Sequence, residues 1–278
     1  MLCAMKMNAA IRLALLAALV LLALPRGTAH AGGPSGDVLQ AEIRPGWITE
    51  RGTRMAALHL TLAPGWKTYW RAPGEAGIPP SFDWSGSKNL KSVAYHWPSP
   101  QVFESYGLRS VGYIGELVLP IELFPHEKGA PIALRGEVAL GICETICMPA
   151  RLEFDADLAG AGLSDPTIQA ALASQPRSAK RAGVRGVHCN LAPIRDGLRL
   201  EAEIDMPRLA GEEFAMVEAG DPRIWVSEPM VRRTAGGLGV TADLVPPAGQ
   251  PMALDRSELR FTVIAGQDAV DIRGCAAN

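Results

Sequence analysis

Val138-Ala139-Leu140-Gly141-Ile142-Cys143-Glu144-Thr145-Ile146-Cys147-Met148-Pro149-Ala150-Arg151-Leu152-Glu153-Phe154-Asp155-Ala156 is the stretch that decides the fold. Val138, Leu140 and Ile142 alternate with other residues before two cysteines. Leu152, Phe154 and Ala156 alternate after them, with the two-residue period of β-strands. A disulfide needs Cα atoms within about 7 Å, whereas an extended strand separates positions i and i+4 by roughly 13 Å. For the two sulfurs to be joined, Glu144-Thr145-Ile146 must be a turn, and the stretch is then a hairpin with a thiol pair at its tip. Another protein can reach such a tip, which points to redox chemistry. A disulfide that merely staples the hairpin is the plainer alternative.

On either side of this hairpin, short alternating runs recur between Gly, Pro, Asn and Asp: Val38 to Ile43, Met55 to Leu62, Val93 to Trp97, Leu117 to Leu123 and Ile132 to Leu140. That spacing predicts a β-sandwich. Ser164-Asp165-Pro166 reads as a helix start and Gln175-Pro176 as its stop, and Arg177 to Arg185 as a basic, exposed linker. Strand patterns then resume from Val187 to Ile272. The fold class expected is all-β, with two immunoglobulin-like sandwiches joined by a short helical linker. The boundaries expected are residues 32–160 for the first, 161–183 for helix and linker and 184–278 for the second. Trp66, Trp70, Trp84 and Trp97 are read as core and edge packing of the first sandwich, and Trp225 as core of the second.

The chain opens like an export signal. Lys6 and Arg12 precede an apolar run, Leu13 to Leu24, and Ala29-His30-Ala31 has the small-x-small form of a cleavage site, so residues 1–31 are expected to be removed. The run is about 12 residues, short of the roughly 20 that span a bilayer, so no stable membrane insertion is expected. Removing Lys6, Arg12 and Arg26 takes the formal net charge from -2 to -5, which argues against nucleic acid as a partner. Four of the five cysteines remain, in a compartment where disulfides persist. Cys143 with Cys147 is the local pair, which leaves Cys189 and Cys275 as a structural disulfide.

Aromatic residues crowd the first half: Gly65-Trp66-Lys67-Thr68-Tyr69-Trp70-Arg71, then Pro73 to Pro80, Phe82-Asp83-Trp84, Trp97-Pro98-Ser99-Pro100, Phe103 to Gly107 and Gly112-Tyr113. Taken with Cys143 to Pro149, this ordered series resembles the N-terminal periplasmic domain of the thiol:disulfide interchange protein DsbD family. It resembles more closely the copper-sensitivity-suppressor membrane reductases within that family. The resemblance covers Val38 to Leu158, and the second sandwich is similar to a further one in those relatives. It implies an immunoglobulin-like redox domain, without cofactor, that takes electrons from a membrane thiol reductase or thioredoxin-like donor. The acceptors it implies are periplasmic disulfide-bearing proteins. Cys147 would bond the partner and Cys143 resolve the intermediate, under a cap loop formed here by Phe103, Glu104 and Tyr106. Ser105 stands where the family's cap aromatic is expected, and three residues rather than five separate the cysteines.

The chemistry has its own logic. In thiol–disulfide exchange a thiolate attacks a sulfur, and a neighbouring cysteine resolves the mixed disulfide. No activating cation is evident beside the pair in the sequence, and Glu144 would oppose thiolate formation. Two other readings stay open. Cys143, Cys147 and Met148 are soft ligands that suit Cu(I), as in a copper-tolerance protein, although His59, His96, His126 and His188 have no metal-ligand spacing. The other is a noncatalytic binding module with two structural disulfides.

Overall fold

The computed structural model describes residues 35–105 and 107–277. The expected signal segment lies outside them. After one helical turn at Ser35–Val38, ten strands follow in chain order: β1 (Leu39–Ile48), β2 (Arg54–Leu62), β3 (Lys67–Tyr69), β4 (Ser81–Asp83), β5 (Ser92–Tyr95), β6 (Gln101–Ser105), β7 (Leu108–Ile114), β8 (Glu116–Phe124), β9 (Ile132–Cys143) and β10 (Cys147–Leu158). They form two facing sheets, one in the order β1-β2-β8-β5 and the other β10-β9-β3-β7-β6, with β4 also paired to β9. Alternation along each strand sends one set of side chains between the sheets. Trp70, Leu58, Leu60, Leu119, Ile121, Leu134 and Ile142 are wholly enclosed there, each such apolar side chain contributing about 1.5–3 kcal/mol.

Helix α1 (Pro166–Ala173) begins where the sequence places it. Asp165 caps it, accepting hydrogen bonds from the Thr167 and Ile168 amides, and Pro166 occupies the first turn, where its missing N–H costs nothing. The Arg177 to Arg185 stretch is exposed at Lys180, Arg181 and Arg185 but is tied to the second sandwich at its start. It opens with β11 (Arg177–Ser178), parallel to a later strand. The Arg177 guanidinium forks onto both carboxylate oxygens of Asp268, and Ala182 is buried.

The remaining strands are β12 (Gly186–Ile194), β13 (Gly197–Asp205), β14 (Phe214–Glu218), β15 (Trp225–Val226), β16 (Met230–Arg233), β17 (Leu238–Val245), β18 (Arg260–Ala265), β19 (Asp268–Arg273) and β20 (Ala276–Ala277). They form sheets in the orders β11-β19-β18-β14 and β15-β17-β13-β12-β20, with β16 also on β17. The whole is all-β, built of immunoglobulin-like sandwiches with one short helix between them. Trp225 departs from expectation: it is 50% exposed rather than core, because the two-residue strand that carries it lies at the end of its sheet.

The sheet containing β14 serves two cores. Ala215, Val217, Phe261, Val263, Val270 and Ile272 fill the second sandwich. Phe214, Met216, Ile264 and Ala269, on the opposite face, join the core cluster of the first. Strands buried on both faces read as continuous apolar runs rather than alternating ones, and Phe214 to Val217 do so. Both sandwiches lie within one compact unit.

Candidate functional site

Strands β9 and β10 pair without interruption from Ile132↔Leu158 up to Cys143↔Cys147, and the turn is Glu144-Thr145-Ile146. The two cysteines form a disulfide with their Cα atoms 4.1 Å apart. The two residues differ in access: Cys143 is 4% exposed, whereas Cys147 is an exposed residue at the hairpin tip. Met148 pairs with Ile142 and packs against the core, on the opposite face of the hairpin from Cys143 and Cys147. A copper site of all three sulfurs would need that side chain withdrawn from the core.

Three strands place further groups beside the pair. Lys67 on β3 is the cross-strand partner of Cys143, and Ile114 on β7 is the partner of Lys67, so the three share one face of the sheet. Register therefore sets the Lys67 residue next to Cys143 from more than seventy positions away along the chain. The Lys67 ammonium also lies 5.4 Å from the centre of the Phe103 ring, linking β3 to the expected cap strand β6. Glu104 is on the same strand and exposed. Tyr106, the third cap residue, lies outside the described residues. Exposed Ile78, Ile114 and Ile146 give the neighbourhood of the disulfide an apolar rim.

Tyr69 is the site residue that the sequence did not single out. Its hydroxyl lies 3.2 Å from the Cys147 sulfur. The position follows from glycine: a side chain on Gly141 would come within 2.9 Å of the Tyr69 ring and 2.7 Å of Ile78, and one on Gly77 within 3.0 Å of the ring's other edge. The ring fills the space that the two glycines leave. Beneath it, the Thr68 hydroxyl donates to the Gly141 carbonyl at 2.9 Å and locks β3 to β9. Burial raises the Tyr69 phenol above its ordinary pKa, so the hydroxyl keeps its proton and remains a donor. A Tyr inside an aromatic-rich strand looks like ordinary core, and only the register across β9 brings its hydroxyl to Cys147.

A donor on the Cys147 sulfur favours that sulfur as a thiolate. In a Cys143→Ser background, Tyr69→Phe is expected to slow alkylation of Cys147 by iodoacetamide at neutral pH roughly tenfold, since a hydrogen bond to a charged group contributes about 1.5–3 kcal/mol. Mass-spectrometric rates measure this, and equal rates would remove the hydroxyl from the site.

The second disulfide, Cys189–Cys275, spans 86 positions with its Cα atoms 5.8 Å apart. Cys189 lies in β12, which runs parallel to β20 just past Cys275.

Residues 37–159 match the family model described as thiol:disulfide interchange protein DsbD, N-terminal. No curated protein matches the chain. Among solved structures, the N-terminal periplasmic domain of ScsB from Proteus mirabilis is similar, with 23% identity and a TM-score of 0.64 over 88% of this chain and 96% of that one. That likeness is one of fold, and it extends over both sandwiches. The reduced N-terminal domain of DsbD from Neisseria meningitidis is also matched, with 17% identity and a TM-score of 0.28, over 47% of this chain and 90% of that one.

Proposed function

We propose that the chain is an exported thiol–disulfide exchange protein that carries reducing equivalents in the Cys143–Cys147 pair. The observation that carries this reading is the asymmetry of the pair: an exposed cysteine with a hydroxyl donor beside its sulfur, joined to a buried cysteine at a hairpin tip. Exchange has these needs, an attackable sulfur and a resolving neighbour protected from other thiols. A staple has no use for the donor. The family match over residues 37–159 supports the same chemistry.

The electrons balance over two half-cycles. A partner protein's dithiol, from a membrane thiol reductase or a thioredoxin-like protein, reduces the disulfide and becomes a disulfide itself. The Cys147 thiolate then attacks the disulfide of an exported substrate, forming a mixed disulfide as one substrate sulfur leaves and takes a proton. Cys143 attacks Cys147, which re-forms the pair and releases the second substrate thiol. Residues 1–31 would direct export to the periplasm, residues 32–160 would form the redox domain and 184–278 the second sandwich. Lys67 and Phe103 would hold the strand bearing the cap over the pair until a partner docks on the apolar rim.

The reduction potential tests this reading. The full chain is equilibrated in glutathione buffers, quenched and mapped, so that free thiols are counted at each cysteine. A value for Cys143–Cys147 between roughly -180 and -270 mV, the span of exchange proteins, is expected, and one below about -300 mV would mark a structural bond.

A further inference from the structure

The face that sheet β11-β19-β18-β14 turns toward the first sandwich changes character along its length. Phe214, Met216, Ile264 and Ala269 enter the first core, and in the same alternation Glu218, Arg260 and Asp271 follow. Arg71 of the first sandwich meets them there. Its Nε and Nη2 donate to the two oxygens of Glu218 at 3.0 and 2.9 Å. An oxygen of Asp271 lies 4.0 Å away, and Asp271 is itself paired with Arg260. The Arg71 side chain is only 15% exposed, and its guanidinium lies 3.9 Å over the enclosed Trp70 ring. A forked pair of this kind fixes orientation as well as distance.

Arg71 is two residues beyond Tyr69, and the chain that follows it folds back over the exchange site. A side chain on Gly77 would strike Pro73 at 2.2 Å and the Tyr69 ring at 3.0 Å, while Ile78 closes over Gly141. The Val111 amide donates to the Pro73 carbonyl at 3.0 Å. On its other side the same segment walls a cavity of about 610 Å³, opposite Met216, Glu218 and Trp225. The segment that backs Tyr69 is therefore pressed on one side only, and its position depends on how its ends are pinned.

We propose that the second sandwich is a working part of the exchange site: through Glu218 it holds Arg71, and through Arg71 it keeps the Tyr69 hydroxyl on the Cys147 sulfur. Glu218 and Arg71 are positioning residues. The inference rests on the exchange reading, in which the Cys147 thiolate attacks and the Tyr69 O–H donates to it without giving up its proton.

The test is a double-mutant cycle in the full chain carrying Cys143→Ser, with iodoacetamide alkylation of Cys147 followed across pH. Glu218→Ala is expected to slow alkylation about threefold or more at neutral pH and to move the midpoint of the pH–rate profile upward. In a Tyr69→Phe background it is expected to have no further effect. Arg71→Lys, which keeps the charge and loses the fork, should reproduce both results if Glu218→Ala does not fold. An unchanged rate, or equal slowing with and without the Tyr69 hydroxyl, overturns the proposal. Exchange by the unaltered chain with an oxidised protein is run alongside. A chain that exchanges nothing overturns the exchange reading and this inference with it, whereas an exchanging chain whose Cys147 ignores Glu218 overturns the inference alone.

Discussion

Reduced protein carrying Cys143→Ser is expected to accumulate as a stable mixed disulfide with an oxidised protein substrate, while Cys147→Ser forms none and exchanges no faster than buffer. The reason is access. Attack on a disulfide needs an approaching sulfur in line with the bond, and only Cys147 is open to such an approach. It also has the Tyr69 hydroxyl to favour its thiolate. Cys143, 4% exposed, is enclosed beside Lys67 and cannot reach a bulky partner. It can reach Cys147, since the register holds their Cα atoms 4.1 Å apart, so its part is to resolve. Removing it leaves the first bond made and no sulfur to break it. Acid quenching and non-reducing electrophoresis, with the linked peptide identified by mass, read the outcome. Trapping by Cys147→Ser instead would reverse the roles, and trapping by neither would leave the pair without a part in exchange.

The hairpin is legible in the sequence because its evidence is local. Two alternating runs and two cysteines with three residues between them specify a turn at Glu144-Thr145-Ile146, and the observed pairing has that turn. The capped helix at Asp165-Pro166 is legible for the same reason. The strands around the site are harder. β3 is three residues long, and β6 and β7 carry Phe103, Gly112 and Tyr113 in runs whose apolar and polar positions do not alternate cleanly. Their residues face a neighbouring loop, a cap or a second sandwich rather than one core and one solvent face, so period two is blurred. Lys67 and Tyr69 acquire meaning only from register, because what brings them to Cys143 and Cys147 is a pairing across more than seventy positions. Trp225 misleads in the opposite sense. Its Ile-Trp-Val setting is that of a core strand, yet the strand is two residues long, and at the end of a sheet such a ring has no second layer to cover it.

Replacing Cys189 and Cys275 together with alanine is expected to cost far more stability than replacing the exchange pair. On a chain-entropy basis, a loop of the Cys189–Cys275 size stabilises by about 4.5 kcal/mol and the tight hairpin loop by only about 2 kcal/mol. The long bond also fastens the chain end at β20 alongside β12, where the Arg256 guanidinium donates to the Cys189 carbonyl and the Cys275 amide donates back to Arg256. The loss should not stay in the second sandwich. Phe214, Met216, Ile264 and Ala269 are buried in the first core, so unfolding the sheet that bears them uncovers that core and releases Arg71 from Glu218. Calorimetry of the double variant is therefore expected to show one transition, lowered in temperature, rather than a low transition for the second sandwich and an unmoved one for the first. Exchange activity should vanish in that same transition. Two separated transitions, with activity following the upper one, would mean that the sandwiches fold independently and that the exchange site stands without its neighbour. A loss below about 1 kcal/mol would show that the β12–β20 pairing holds without its covalent bond, against the usual cost of removing a native disulfide.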